Sequence, residues 1–232
     1  PSDIDSCNGW NPTDIFVRTY EKSKEFTKSY GFRMKTDSEN KLTRNTGFYE
    51  RTSKLTRNFV DARGFWLPND YTKHGVINEY NACREKAVLI DLSSLRKFEI
   101  LGPDAEELMN YTLTRNVKKL SVGQIVYSAM CYENGTMFDD GTLLKLSDHG
   151  FRWVCGDEYG GEWLKEQAKK KNYKVHIKNS TDQINNLSLQ GPKSREILEK
   201  IIFTPPTQPS ISELEWFRFS ICRLEELNGI PL

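Results

Sequence analysis

Tyr127-Ser128-Ala129-Met130-Cys131-Tyr132-Glu133-Asn134-Gly135-Thr136-Met137-Phe138-Asp139-Asp140 places strand-forming residues on both sides of an Asn-Gly pair. Asn-Gly between such runs is the strongest short-range hairpin signal, because both residues accept the positive φ of the tight turn. The first arm is expected over Gln124–Tyr132. Asp139-Asp140-Gly141 reads as a polar turn, since Asp and Gly favour turns, and Thr142–Leu146 reads as the next strand. Ser147-Asp148-His149-Gly150 turns the chain again into Phe151–Cys155. The result is a meander of antiparallel strands, followed by a helix over 158–171. That helix turns Trp163, Leu164 and Ala168 inward and leaves Lys169-Lys170-Lys171 at a solvated end.

Two copies of one local pattern flank this meander. Phe98-Glu99-Ile100-Leu101 is followed by Gly102-Pro103 and then Asp104–Met109; Leu187-Ser188-Leu189-Gln190 is followed by Gly191-Pro192 and then Lys193–Leu198. Each copy reads as an alternating strand, a sharp exit at Gly, and an amphipathic helix with Pro at its first position. Asp104, Glu106 and Glu107 suit the positive end of the first helix. The copies are too far apart for a solenoid and fit two β–α units sharing one α+β domain.

Further out, a helix is expected over 72–86. Ala87-Val88-Leu89-Ile90 reads as a buried strand ending at Asp91. Phe59–Asp70 is aromatic-rich and closes on Leu67-Pro68-Asn69-Asp70, a turn signal. Residues 1–46 form an N-terminal extension whose helix starts near Pro12-Thr13-Asp14 and stops near Gly31. Residues 47–221 form the main region, with strand-like residues at Trp216–Ile221, and 222–232 begin a continuation lying beyond this chain.

Composition excludes several classes. The 232 residues are 37% hydrophobic and 28% charged, with Lys+Arg 33 against Asp+Glu 32. That balance creates no global field for nucleic acid or an acidic membrane. No run approaches the ~20 apolar residues of a membrane span, and Pro1-Ser2-Asp3-Ile4-Asp5 lacks the features of a signal peptide, so a cytoplasmic location is expected. Cys7, Cys83, Cys131, Cys155 and Cys222 are scattered, as are His74, His149 and His176. This pattern fits free thiols and supplies no metal-ligand cluster.

No nucleophile-elbow, zinc-protease, Walker or dinucleotide fingerprint is present. The chemistry therefore centres on Asp139-Asp140. Neighbours in a strand point to opposite faces, so one of the pair at most faces a given pocket and the other is structural. By the same alternation Tyr127 and Met130 lie on opposite faces unless a bulge intervenes.

Five segments in order resemble the folate-binding T-protein superfamily, which includes the aminomethyltransferase of glycine cleavage and folate-dependent demethylases. Phe59-Val60-Asp61-Ala62-Arg63-Gly64-Phe65-Trp66-Leu67-Pro68 resembles the family's "F-x-G-W-x-x-P". Val88-Leu89-Ile90-Asp91-Leu92-Ser93-Ser94-Leu95 resembles "D-V-S-H-M". Phe98–Leu108 resembles its strand and "G-x-D-A" helix. Tyr127 through Asp140 resembles "Y-x-x-M-x-N-x-x-G-G-x-x-D-D", and Leu187–Pro192 resembles "A-L-Q-G-P".

The resemblance implies a T-protein-like α+β fold of antiparallel sheets with flanking helices, lacking its C-terminal part, and tetrahydrofolate as cofactor. It implies that Asp140 is the catalytic carboxylate beside the reactive folate nitrogens, and that Tyr127, Met130 and Leu95 line the pterin pocket. It implies a small methyl or aminomethyl donor, an amine or sulfonium, and a lipoyl carrier protein as partner for a true T-protein. Superfamily members that bind folate without catalysis, or that serve as folate modules of flavin-dependent dehydrogenases, are the alternatives. Ser94 stands where many members have His, Thr136 replaces the second Gly of the turn, and residues 1–45 match nothing in the short T-protein. These departures favour a specialised paralogue.

Overall fold

The computed structural model describes residues 43–232. The helix expected within 1–46 lies outside the described residues. Residues 43–49 with Phe59–Leu67 belong to one compact unit, and Glu50–Asn58 with Pro68–Leu232 form a second. In the first unit β1 (Arg44–Asn45) runs parallel to β3 (Phe65–Pro68), which also pairs with β2 (Phe59–Ala62). The β2–β3 connection is Arg63-Gly64, both at positive φ (56° and 82°), as a two-residue hairpin loop requires. A short helix, α1 (Tyr49–Thr52), follows β1.

The second unit is built on a five-stranded antiparallel sheet in the order β6-β7-β8-β5-β9. Its strands are β5 (Arg96–Leu101), β6 (Ile125–Cys131), β7 (Met137–Ser147), β8 (Gly150–Cys155) and β9 (His176–Asn179). The Asn134-Gly135 hairpin forms as expected, with Gly135 at φ 87°.

The expected turn at Asp139-Asp140-Gly141 does not form. β7 runs through it as one eleven-residue strand, so the two aspartates are strand neighbours on opposite faces. Packing overrides turn propensity here. A Cβ on Gly141 would lie 2.1 Å from the Val154 carbonyl oxygen, so glycine is present for close backbone approach rather than for turning.

One face of this sheet carries the core. Phe98, Ile100, Met130, Leu143, Phe151 and Trp153 pack with Leu108 and Met109 of α3 (Ala105–Thr112) and with Trp163 and Leu164 of α4 (Tyr159–Lys171). Trp163, Leu164 and Ala168 are buried as expected, and Lys169–Lys171 are exposed.

Both β–Gly-Pro–α units are present. α3 follows Gly102-Pro103, and α5 (Ser194–Ile201) follows Gly191-Pro192 after β10 (Leu187–Gln190). The two glycines adopt nearly the same left-handed φ, 137° and 133°. At each, a Cβ would strike backbone, 2.4 Å from the Lys174 oxygen and 2.5 Å from the Lys86 oxygen. Each proline sits two residues before its helix, not at the first helical position. Ala105 N–H donates to Gly102 O and Ser194 N–H to Gly191 O, both at 3.0 Å, so proline occupies the second position of a β-turn, where its fixed φ fits.

α2 (Val76–Glu85) precedes β4 (Val88–Asp91), which pairs antiparallel with β10. The expectation that β4 is buried is corrected: Leu89 and Ile90 are exposed, because only β10 accompanies it in a two-stranded sheet. Trp216–Ile221 forms no strand among the described residues, and Trp216 is 87% exposed. The pairing there is between β11 (Ile202–Phe203) and β12 (Arg223–Leu224). No helix among the described residues is long and apolar enough to cross a membrane.

Candidate functional site

Register decides which of the expected site residues meet. β6 and β7 pair Tyr127 with Thr142, Ala129 with Asp140 and Met130 with Asp139; the irregularity comes after Met130, so alternation from Tyr127 to Met130 is unbroken. Tyr127 and Asp140 therefore share the face opposite the core. Across the strand pair, the Tyr127 phenol donates to Asp140 Oδ2. That hydrogen bond is the main reason the phenol is pushed above its ordinary pKa; burial and the Asp140 charge add to it. Tyr127 is 49% exposed and Asp140 half-buried, so both can be approached.

Met130 lies on the other face, 0% exposed, within the hydrophobic core. The structure does not bring it to Tyr127 and Asp140. Its packing against sheet and helices accounts for an apolar residue there.

Asp139, 8% exposed, takes the structural part of the pair. Its Oδ1 accepts the N–H groups of Asp140 (2.9 Å) and Gly156 (3.3 Å), and its Oδ2 accepts that of Asp157 (3.2 Å). This carboxylate ties the end of β8 to β7. Burial, followed by the charge of Asp139, pushes the nearby Cys155 thiol up, so the thiol is unreactive.

The rows of the sheet extend the site towards β5. Lys97 pairs with Val154, Val154 with Thr142 and Thr142 with Tyr127, so these four residues form one cross-strand row on the Tyr127 face. β8 leaves the ladder at Cys155, which pairs with Gly141 on one side and Arg96 on the other; Asp140, Gly156 and Leu95 are the next residues of the three chains. The Tyr127 face thus carries an aromatic ring from β6 and a carboxylate from β7.

Lys97 is missing from the expected site, although carrying the alternation of Phe98–Leu101 back one residue puts it on the polar face. It is 1% exposed. Its Nζ donates to Ser93 O (2.9 Å) and Leu95 O (2.8 Å). Burial, then the Arg96 charge, lowers its pKa to about 8; Asp91 and Asp182 act in the opposite direction, and Arg152 adds a small lowering. Beside it, Glu99 accepts from Arg152 Nε (2.7 Å) and Ser180 Oγ (2.8 Å).

The order of segments, the paired β–Gly-Pro–α units and the carboxylate-bearing sheet face define a member of the glycine-cleavage T-protein class, and residues 48–231 match the GCVT N-terminal domain family. The chain belongs to that family. It is 50% identical over its whole length to trimethylamine-oxide aldolase of Ruegeria pomeroyi, covering 29% of that protein. It is 33% identical over 196 residues, 83% of this chain and 50% of the relative, to aminomethyltransferase of Symbiobacterium thermophilum. The glycine cleavage system aminomethyltransferase T of Bartonella henselae is similar in structure, with a TM-score of 0.60 and 26% identity over 67% of this chain and 43% of that one. The T-protein-like fold is thereby shown, and the chain spans half or less of the length of these relatives.

Proposed function

We propose that this chain is the folate-facing part of a tetrahydrofolate-dependent one-carbon transferase that takes a methyl or methylene unit from a small amine donor. The observation that carries the reading is the Tyr127–Asp140 hydrogen bond on an open sheet face. Tetrahydrofolate, when bound, supplies the nucleophilic nitrogen that accepts the carbon. Asp140 holds a fixed negative charge where the donor carries or develops a positive one, and such preorganised charge stabilises a transition state more than free water does. Tyr127 orients that carboxylate and offers an aromatic face to the ring. Leu95 supplies an apolar edge. Met130 acts from the core, supporting β6 from behind.

The similarity of the whole of this chain to part of trimethylamine-oxide aldolase favours a methylated amine or amine oxide donor over an aminomethyl group on a lipoyl carrier protein. It also favours a module within a larger enzyme, because the whole of this chain corresponds to 29% of that relative.

The test uses the full-length protein with tetrahydrofolate and carbon-labelled donors: trimethylamine oxide, methylated amines, a sulfonium compound and an aminomethyl-loaded lipoyl carrier. Label is expected on the folate from an amine-class donor, with loss of transfer in Asp140→Asn. Absence of tetrahydrofolate binding, or unchanged transfer in Asp140→Asn, overturns the reading.

A further inference from the structure

The Leu92–Leu95 turn joins β4 of the small sheet to β5 of the large one, and it is held from several sides. Leu92 N–H donates to Asn186 O (2.8 Å), Ser93 N–H to Asp91 Oδ1 (2.9 Å), and Asn186 N–H to Ser93 Oγ (3.0 Å). Arg96 Nη1 donates to Ser94 O (2.9 Å), and its Nε lies 3.1 Å from Glu158 Oε2. The remaining carbonyls, Ser93 O and Leu95 O, both accept from Lys97 Nζ. A lysine spent on two backbone carbonyls within four residues of itself is costly to bury. Leucine or methionine at this place would fill a pleated sheet more cheaply. What the lysine adds is a charge-assisted clasp on the two peptide groups that flank Ser94 and orient Leu95.

From this geometry we infer that Lys97 is a positioning residue of the folate site: its ammonium holds the Ser93–Leu95 turn, and with it Leu95, in place at the start of β5. The inference rests on the one-carbon-transfer reading above. Lys97 is too deeply buried to touch a ligand and acts through the turn. Hydrogen bonds from an ammonium are roughly twice as strong as those from a neutral amine, so the clasp weakens when Lys97 loses its proton. The charged groups around it are Asp91 at the end of β4, Arg96 and Glu99 on β5, Arg152 on β8 and Asp182 beyond β9. Burial, then the Arg96 charge, lowers the Lys97 pKa to about 8, against the opposing charges of Asp91 and Asp182. Site order and ligand affinity therefore follow its protonation.

The experiment measures the dissociation constant of tetrahydrofolate for the full-length protein from pH 7 to 9, in the wild type, Lys97→Met, Leu95→Ala and the double variant. The wild type is expected to lose about five- to tenfold in affinity as pH passes 8. Lys97→Met should bind weakly with a flat profile. Leu95→Ala should also be weak and flat, and the double variant no worse than the weaker single, because both act through one turn. If Lys97→Met fails to fold, the comparison of wild type with Leu95→Ala still decides: a pH response in the first that vanishes in the second supports the clasp. A wild type that binds with a flat profile overturns this inference alone, as do strictly additive effects of the two substitutions. A wild type that binds no tetrahydrofolate at any pH overturns the function proposed above, and this inference with it.

Discussion

Asp139 and Asp140 are adjacent in the chain and stand on opposite faces of β7, the first buried under three backbone N–H groups and the second bonded to the Tyr127 phenol. Their substitutions should separate cleanly. Asp139→Ala strands three amides and is expected to cost at least ~2 kcal/mol in urea unfolding. Asp140→Asn should change stability by less than ~1 kcal/mol and abolish one-carbon transfer. Tyr127→Phe should keep stability and lower transfer by about tenfold, the effect of losing a group that orients the carboxylate. Equal destabilisation by Asp139→Ala and Asp140→Asn would contradict the division of roles.

Met130 offers a second separation. As a core residue at 0% exposure it should lose ~2–5 kcal/mol on truncation to Ala. Tetrahydrofolate affinity of the folded fraction should stay within about threefold of wild type, measured well below the melting temperature. A large loss of affinity at unchanged stability would return Met130 to the ligand pocket.

The paired glycines give a stability test independent of function. Gly102→Ala and Gly191→Ala each combine a left-handed φ with a Cβ pressed into backbone, and each should cost more than ~2 kcal/mol. Gly123 shares the positive φ, at 88°, but nothing lies within 4 Å of its Cβ. Gly123→Ala should therefore cost only ~1 kcal/mol. Chemical denaturation of the three variants checks the ranking.

Above neutral pH two buried groups oppose one another. Lys97 titrates near 8 when folded and at its ordinary 10.5 when unfolded. Between those values the unfolded chain holds the extra proton, so stability rises with pH, at most ~1.4 kcal/mol per unit. Cys155 is shifted upward from 9.0; above that value the unfolded thiol ionises while the folded one stays protonated, and stability falls. The wild type should gain stability from pH 8 to 9 and then level off. Lys97→Met should lose the rise, and Cys155→Ala should let it continue to about pH 10. Urea midpoints across pH 7–10 in the three proteins test the signs.

Local chemistry made much of the fold legible. The Asn134-Gly135 hairpin, the two Gly-Pro exits and the inward face of α4 follow from turn preference and periodicity within short windows, and all are present. The misreadings share one cause. Asp139-Asp140-Gly141 has turn composition, yet Val154 across the sheet demands a glycine in a continuous strand. Val88-Leu89-Ile90 has buried-strand composition, yet its small sheet leaves Leu89 and Ile90 exposed. Neither neighbour is visible in a local window.

By itself the sequence determined the antiparallel meander and the two strand–Gly-Pro–helix units, because turn chemistry and a two-residue period are local properties of the chain. Only the tertiary structure decided which aspartate faces the open side, that Met130 belongs to the core, and that Lys97 shares a cross-strand row with Tyr127. Those facts depend on the register among β5, β8, β7 and β6, where a slip of one residue exchanges every side chain between the two faces.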